Sequence, residues 1–302
     1  MSKAILDSVS RFFQPHLPRW ACEFTSRHLI LAGVDSSRKR ISSKVAAALP
    51  TDVVAGSSSE KNVVKEKVLL EILKEEIGQA GFKGSEISVV IPDDASRITF
   101  VNAENLPAGD EERDTFVRWK LKKNMPFDVD TAQMAFRILG KRGGDNGKGV
   151  DLMIALSPRS VVQEYENLMQ SLDLHAGFVI PSTVAAWNLY SPAKEDVVVV
   201  KVAPGCITTT VFQDGSPRFY RRVSEMPLYD AVYPTIMYYQ DKLAGSALAS
   251  IAVCGYESDV RRDLSELQNK LNVPVRKLGP GNIEDIYKPA LGAVNWVCVD
   301  LV

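Results

Sequence analysis

One order of elements occurs twice in this chain, and that recurrence limits the folds open to it more than any single motif. Within residues 20–49 the runs Ala21-Cys22-Glu23-Phe24, Leu29-Ile30-Leu31-Ala32 and Lys44-Val45-Ala46-Ala47-Ala48 read as three strands of a meander. Residues 61–79 then place Val64, Val68, Leu69, Ile72, Leu73 and Ile77 on one helical face, with Gly78 and Gly81 close to the end. Ile87-Ser88-Val89-Val90-Ile91 follows as a buried strand stopped by Pro92. From residue 197 the order returns: Val197-Val198-Val199-Val200-Lys201-Val202, a strand over 207–213, a turn at Asp214-Gly215, and a strand over 218–223. A helix over 231–243, the strand Ser250-Ile251-Ala252-Val253-Cys254-Gly255, a polar helix over 259–271 and a strand over 273–278 complete it. The pattern predicts an α/β protein built on a duplicated, strand-rich unit.

Between the halves, residues 97–180 read as an inserted α+β unit. Its strands fall at 97–102, 131–139 and 151–156, and its helices at 110–123 and 158–172. Three spans result: 1–96, with an amphipathic helix over 3–13 carrying Ile5, Val9, Phe12 and Phe13; 97–180; and 181–302. The glycine-rich stretch 140–149 has three residues rather than four between Gly143 and Gly147, and Gly149 where a phosphate loop needs Ser or Thr. It reads as a hairpin loop.

Charge excludes one class of function. Thirty-six basic residues nearly cancel 37 acidic ones, which leaves no field to draw in nucleic acid. Cys22, Cys206, Cys254 and Cys298 are far apart beside apolar residues, as buried reduced thiols would be. No apolar run approaches the roughly 20 residues of a membrane span, and no secretory signal opens the chain, so a cytoplasmic location is expected. His16, His28 and His175 have no neighbours that specify a triad or a metal site, and the pairs Asp93-Asp94 and Glu111-Glu112 read as solvated or helix-start carboxylates. No catalytic residue is assigned.

Several segments in fixed order resemble the PilM-like family of type IV pilus assembly proteins. They are Ile87 to Ile91 with Pro92-Asp93, then Arg97-Ile98-Thr99-Phe100; Phe116-Val117-Arg118-Trp119-Lys120-Leu121-Lys122-Lys123 leading to Met125-Pro126-Phe127; Ile236-Met237-Tyr238-Tyr239-Gln240 with Ile251-Ala252-Val253-Cys254-Gly255; and Pro289-Ala290-Leu291-Gly292-Ala293. The resemblance implies an actin-like, ribonuclease H-like duplicated fold with subdomains 1A (1–96), inserted 1C (97–180) and, after a connecting helix, 2A (181–302). It also implies a place beneath the inner membrane, among other pilus platform proteins, receiving the cytoplasmic tail of a bitopic PilN-like protein. The related cytoplasmic domain of a type II secretion platform protein is a further option, disfavoured because such chains continue into a membrane span.

Actin-like ATPases hold nucleotide and magnesium between two glycine- and hydroxyl-rich hairpins, each with an acidic residue. Here Glu23-Phe24-Thr25-Ser26 stands at the first hairpin, with Phe24 where glycine lets a phosphate approach. Lys201-Val202-Ala203-Pro204 stands at the second, where an ammonium reverses the charge that a magnesium site requires. Tyr256 follows Gly255 where the family has a second glycine, and only residues 224–230 stand where the family inserts subdomain 2B. The expectation is a degenerate ATPase without cofactor. The alternative is an ATP-binding protein using Thr25, Ser26, Gly205, Thr208, Thr209, Gly255 and Tyr256, with magnesium, in a rearranged site. The partner groove is expected between 1A and 1C, with Trp119, Met125, Pro126 and Phe127 as anchors and Lys120, Lys122 and Lys123 at its border.

Overall fold

The computed structural model describes residues 17–140, 149–190, 195–255 and 260–295. The expected helix over 3–13, most of the glycine-rich loop, Tyr256 and Cys298 lie outside the described residues.

The duplicated order becomes two five-stranded sheets with the same plan. In the first, β1 (Trp20–Phe24), β2 (His28–Val34) and β3 (Ile41–Ala48) form an antiparallel meander. β4 (Glu86–Ile91) then pairs parallel to β1, and β8 (His175–Pro181) parallel to β4, giving the order β3-β2-β1-β4-β8. In the second, β9 (Val197–Ala203), β10 (Cys206–Gln213) and β11 (Ser216–Ser224) repeat the meander. β12 (Ser250–Gly255) and β13 (Val275–Lys277) repeat the parallel pair, in the order β11-β10-β9-β12-β13.

Both faces of each sheet are covered, which is why the strands read as nearly continuous apolar runs. Cys22, Leu29, Leu31 and Val89 face α1 (Glu66–Ala80) and α3 (Arg159–Gln170), while Ala21, Ile30, Ala32 and Val90 face α4 (Ser182–Trp187) and α7 (Lys288–Ala293). In the second lobe Val198, Val200, Ile251 and Val253 pack under α5 (Leu228–Lys242) and α6 (Val260–Leu271). Trp187 of α4 enters the opposite face beside Val197, Val199 and Phe212. The helix α4 therefore belongs to both lobes, with Ala185 on the first core and Ala186 and Trp187 on the second. It crosses α7 so closely that a Cβ on Gly292 would lie 1.9 Å from the Ala185 carbonyl oxygen, a separation that only glycine permits.

The inserted unit is smaller than the expected 97–180. It consists of the separate sheet of β5 (Arg97–Ala103), β6 (Gln133–Gly140) and β7 (Val150–Ser157), in the order β5-β7-β6, with α2 (Asp110–Leu121) packed on one face. After Ser157 the chain returns to the first lobe, because Val161, Tyr165, Leu168 and Met169 of α3 are apolar on one face and bury against it, and β8 completes its sheet. In the second lobe β11 ends at Ser224 and α5 begins at Leu228, so residues 225–227 make the whole connection.

Candidate functional site

Two places where the lobes and the insert meet carry polar or apolar surfaces of interest. The first is the cleft between the hairpins β1–β2 and β9–β10. Lys201 comes from β9 with its side chain buried, and its Nζ lies 2.8 Å from Oδ2 of Asp93, also buried, just beyond β4. Asp93 accepts two more hydrogen bonds, from the backbone N–H and the Oγ1 of Thr183 at the start of α4, each 2.8 Å. Thr183 Oγ1 is also 2.8 Å from Thr208 Oγ1 on β10. Alongside, Asp94 pairs with Arg222 of β11, and Ser182 donates to Glu23. First lobe, connecting helix and second lobe thus meet on one buried polar cluster.

Electrostatics agree with that geometry. Burial pulls the Lys201 pKa down, but the carboxylates of Asp93 and Glu23 outweigh it and hold the pKa above the ordinary lysine value. Burial, with the Asp93 charge second, pushes the Cys206 thiol up to about 12, and the Tyr220 hydroxyl rises for the same two reasons. The pair Asp93-Asp94, read from sequence as solvated, instead binds the lobes together. Lys201 is a structural cation.

The structure brings Thr25, Ser26 and Gly205 of the expected nucleotide residues together and gives Thr208, Thr209 and Gly255 other partners. Thr25 Oγ1 is used in its own turn, accepting from the backbone N–H of Arg27 (3.2 Å) and His28 (2.8 Å) and donating to the His28 carbonyl. Thr25, Ser26 and Gly205 line a common cavity of about 210 Å³, below the roughly 300 Å³ at which small-molecule pockets begin. Thr208 is tied to Thr183, whereas Thr209 points to the other face of β10 and meets Thr235 of α5 at 2.7 Å. Gly255 ends β12 with its N–H on Asp285, away from that cavity. The Phe24 ring packs on Tyr165 in the first core, 5.2 Å between centroids. Among the described residues no three His, Cys, Asp or Glu side chains converge as a metal site would require.

The second place is a groove of about 470 Å³ between the first lobe and the insert. Its walls are two sheet edges: β8 is the last strand of the first sheet and β6 the last of the third. Ala135 of β6, Met153 and Ala155 of β7, and Phe178 and Ile180 of β8 make it apolar, with Arg137 and Glu166 as charged groups on its lining. None of the four expected anchors lines it. The reason lies in the pleat of β7: Leu152, Ile154 and Leu156 point to α2, while Met153 and Ala155 point to the groove. Met125 and Phe127 pack with Val117 and Leu121 on the α2 side, Pro126 is exposed, and Trp119 stands 68% exposed on the outer face of α2. The groove residues on β6 and β8 carry only an ordinary strand pattern in sequence. What distinguishes them is their place at two edges, which no local pattern encodes.

No family model matches the sequence, and no curated protein matches it. Solved structures do. A chain of the PilM–PilN type IV pilus biogenesis complex superposes with a TM-score of 0.72 at 14% identity, over 93% of this chain and 98% of that one. A Bacteroides thetaiotaomicron protein with an actin-like ATPase fold and unknown function gives 0.56 at 12%, covering 91% and 95%. The cytoplasmic domain of EpsL, an inner-membrane component of the Vibrio cholerae type II secretion system, gives 0.51 at 11%, covering 91% and 94%. With its two matched sheets and shared connecting helix, the chain has an actin-like α/β fold. Within that class the fold is of the PilM-like kind. No helix among the described residues is long and apolar enough to cross a membrane.

Proposed function

We propose that this chain is a nucleotide-independent scaffold on the cytoplasmic face of a type IV pilus or related secretion platform, where it receives the cytoplasmic tail of a PilN-like bitopic membrane protein. The observation that carries this reading is the apolar groove bounded by the edges of β6 and β8. An extended peptide entering it finds unpaired backbone groups for added-strand hydrogen bonds and alternating apolar contacts for its side chains. The fold likeness to a chain solved in a PilM–PilN complex supports the same choice of partner. The cleft supports the nucleotide-independent reading, because the Lys201 ammonium stands beside the carboxylates there and ties the lobes together.

The test is a titration of the full chain with a synthetic peptide of the tail of the PilN-like protein encoded in the same genome, with wild type compared to Ala135→Arg. Ala135 is exposed on β6 and lines the groove, so arginine fills the groove without disturbing a core. Binding by wild type and its loss in Ala135→Arg, with the melt unchanged, is expected. Equal binding by both proteins removes the groove from the proposal.

The alternative, an ATP-binding protein with magnesium in a rearranged site, draws its support from the shared cavity lined by Thr25, Ser26 and Gly205. Calorimetry with magnesium and ATP separates the two readings.

A further inference from the structure

Trp119 is the most exposed large apolar side chain among the described residues, at 68%. It ends a stripe along α2. Glu111, Glu112, Thr115 and Phe116 precede it at helical spacings of three, four, seven and eight, and with it they line an open depression of about 610 Å³. The Phe116 and Trp119 rings lie 6.4 Å apart, tilted by 37°.

The charges along this helix are unevenly satisfied. Arg113 pairs with Asp110 at 2.9 Å, Arg118 with Asp114 at 2.6 Å, and Lys120 donates to the Asn102 carbonyl at 2.9 Å. No basic side chain among the described residues pairs with Glu111 or Glu112. The positive end of the helix dipole accounts for carboxylates in the first turn. It does not account for an indole in water two turns later, since a tryptophan side chain gains a large burial free energy once covered. The helix already shows the kind of contact its rings accept, because Lys120 holds its ammonium 5.5 Å from the centroid of Phe116.

We propose that this stripe docks a basic segment of a protein partner, with one arginine or lysine over the Trp119 indole and a second on Glu111 and Glu112. Indole is the best cation–π acceptor among side chains, and exposed carboxylates at the far end select the same sign of charge. Seven residues of helix separate Glu112 from Trp119, about 10 Å at 1.5 Å per residue. The partner's two cations therefore sit about 10 Å apart, seven positions apart on one face of a helix. Nucleic acid and acidic lipid are disfavoured by Glu111 and Glu112. The stripe lies on the α2 side of the third sheet and the groove on the other, so this inference does not depend on the partner proposed for the groove.

The experiment uses the full chain and a helical peptide with two arginines seven positions apart, beside the same peptide with glutamines there. Indole N–H resonances report the site, with Trp119 assigned by its loss in Trp119→Phe, and calorimetry reports affinity at low and high salt. Expected are a shift of the Trp119 indole, affinity for the arginine peptide at least about tenfold above the glutamine peptide, and weakening by salt. Glu111→Gln with Glu112→Gln lowers affinity about tenfold, and Trp119→Ala removes binding while the melt stays unchanged. Absence of arginine-peptide binding, equal binding of both peptides, or undiminished binding by Trp119→Ala overturns the proposal. So does sedimentation of wild type, but not Trp119→Ala, with phosphatidylglycerol vesicles, which assigns the indole to a lipid surface.

Discussion

The Lys201 ammonium of the second lobe and the Asp93 carboxylate of the first meet at 2.8 Å, both buried, in the cleft between the hairpins β1–β2 and β9–β10. Removing one member leaves the other charged and without its partner in a dry site, which costs far more than the intact pair contributes. Lys201→Met is expected to lower stability by about 3–5 kcal/mol. Lys201→Met combined with Asp93→Asn should recover much of that loss. Urea melts of wild type, Lys201→Met, Asp93→Asn and the double variant measure the coupling, and additive losses would show that the pair does not join the lobes.

The same pair has a signed pH dependence. Because the Lys201 pKa is raised in the folded state, its stabilisation is complete below the unfolded lysine value of 10.5 and is lost as pH rises through the higher folded value. Wild type minus Lys201→Met stability should therefore be flat from pH 6 to about 10 and fall only beyond it. A difference that declines between pH 6 and 9 contradicts this assignment.

Magnesium and ATP should give no saturable heat with this chain, since the cavity at the hairpins is about 210 Å³ and Lys201 stands among its walls. A dissociation constant in the low micromolar range, about −8 kcal/mol, would instead establish the alternative reading.

Phe127 and Trp119 look equivalent in sequence and should respond differently. Phe127→Ala removes a ring packed beside Val117 and Leu121, with an expected loss of about 2–4 kcal/mol, reduced from a full core deletion because Phe127 is half-buried. Trp119→Ala should change stability by no more than about 0.5 kcal/mol. Thermal melts decide both.

Burial places the Cys254 thiol, like that of Cys206, at a pKa of about 12, and Cys22 is raised as well. Native protein at pH 8 should leave these three unmodified by a thiol reagent, because the thiolate is the reacting form. Rapid labelling of any of them in the native state contradicts the packing described.

The duplicated plan was legible because strands covered on both faces betray themselves as apolar runs, as in Val197 to Val200 and Ile87 to Ile91. The end of the insert was not legible. The apolar face of α3 is the same whether it covers the third sheet or the first, and only the distant pairing of β8 with β4 decides. Asp93 was missed for a related reason: its partner is 108 residues away, and adjacent aspartates at a strand end look solvated. The four expected anchors lie off the groove between the first lobe and the insert, because neither helical spacing on α2 nor the turn after it shows what those side chains face.

Residues 225–227 alone join β11 to α5. A link of three residues leaves the meander and α5, which share one core, no slack to move apart, so any displacement of the second lobe should carry both as a single block.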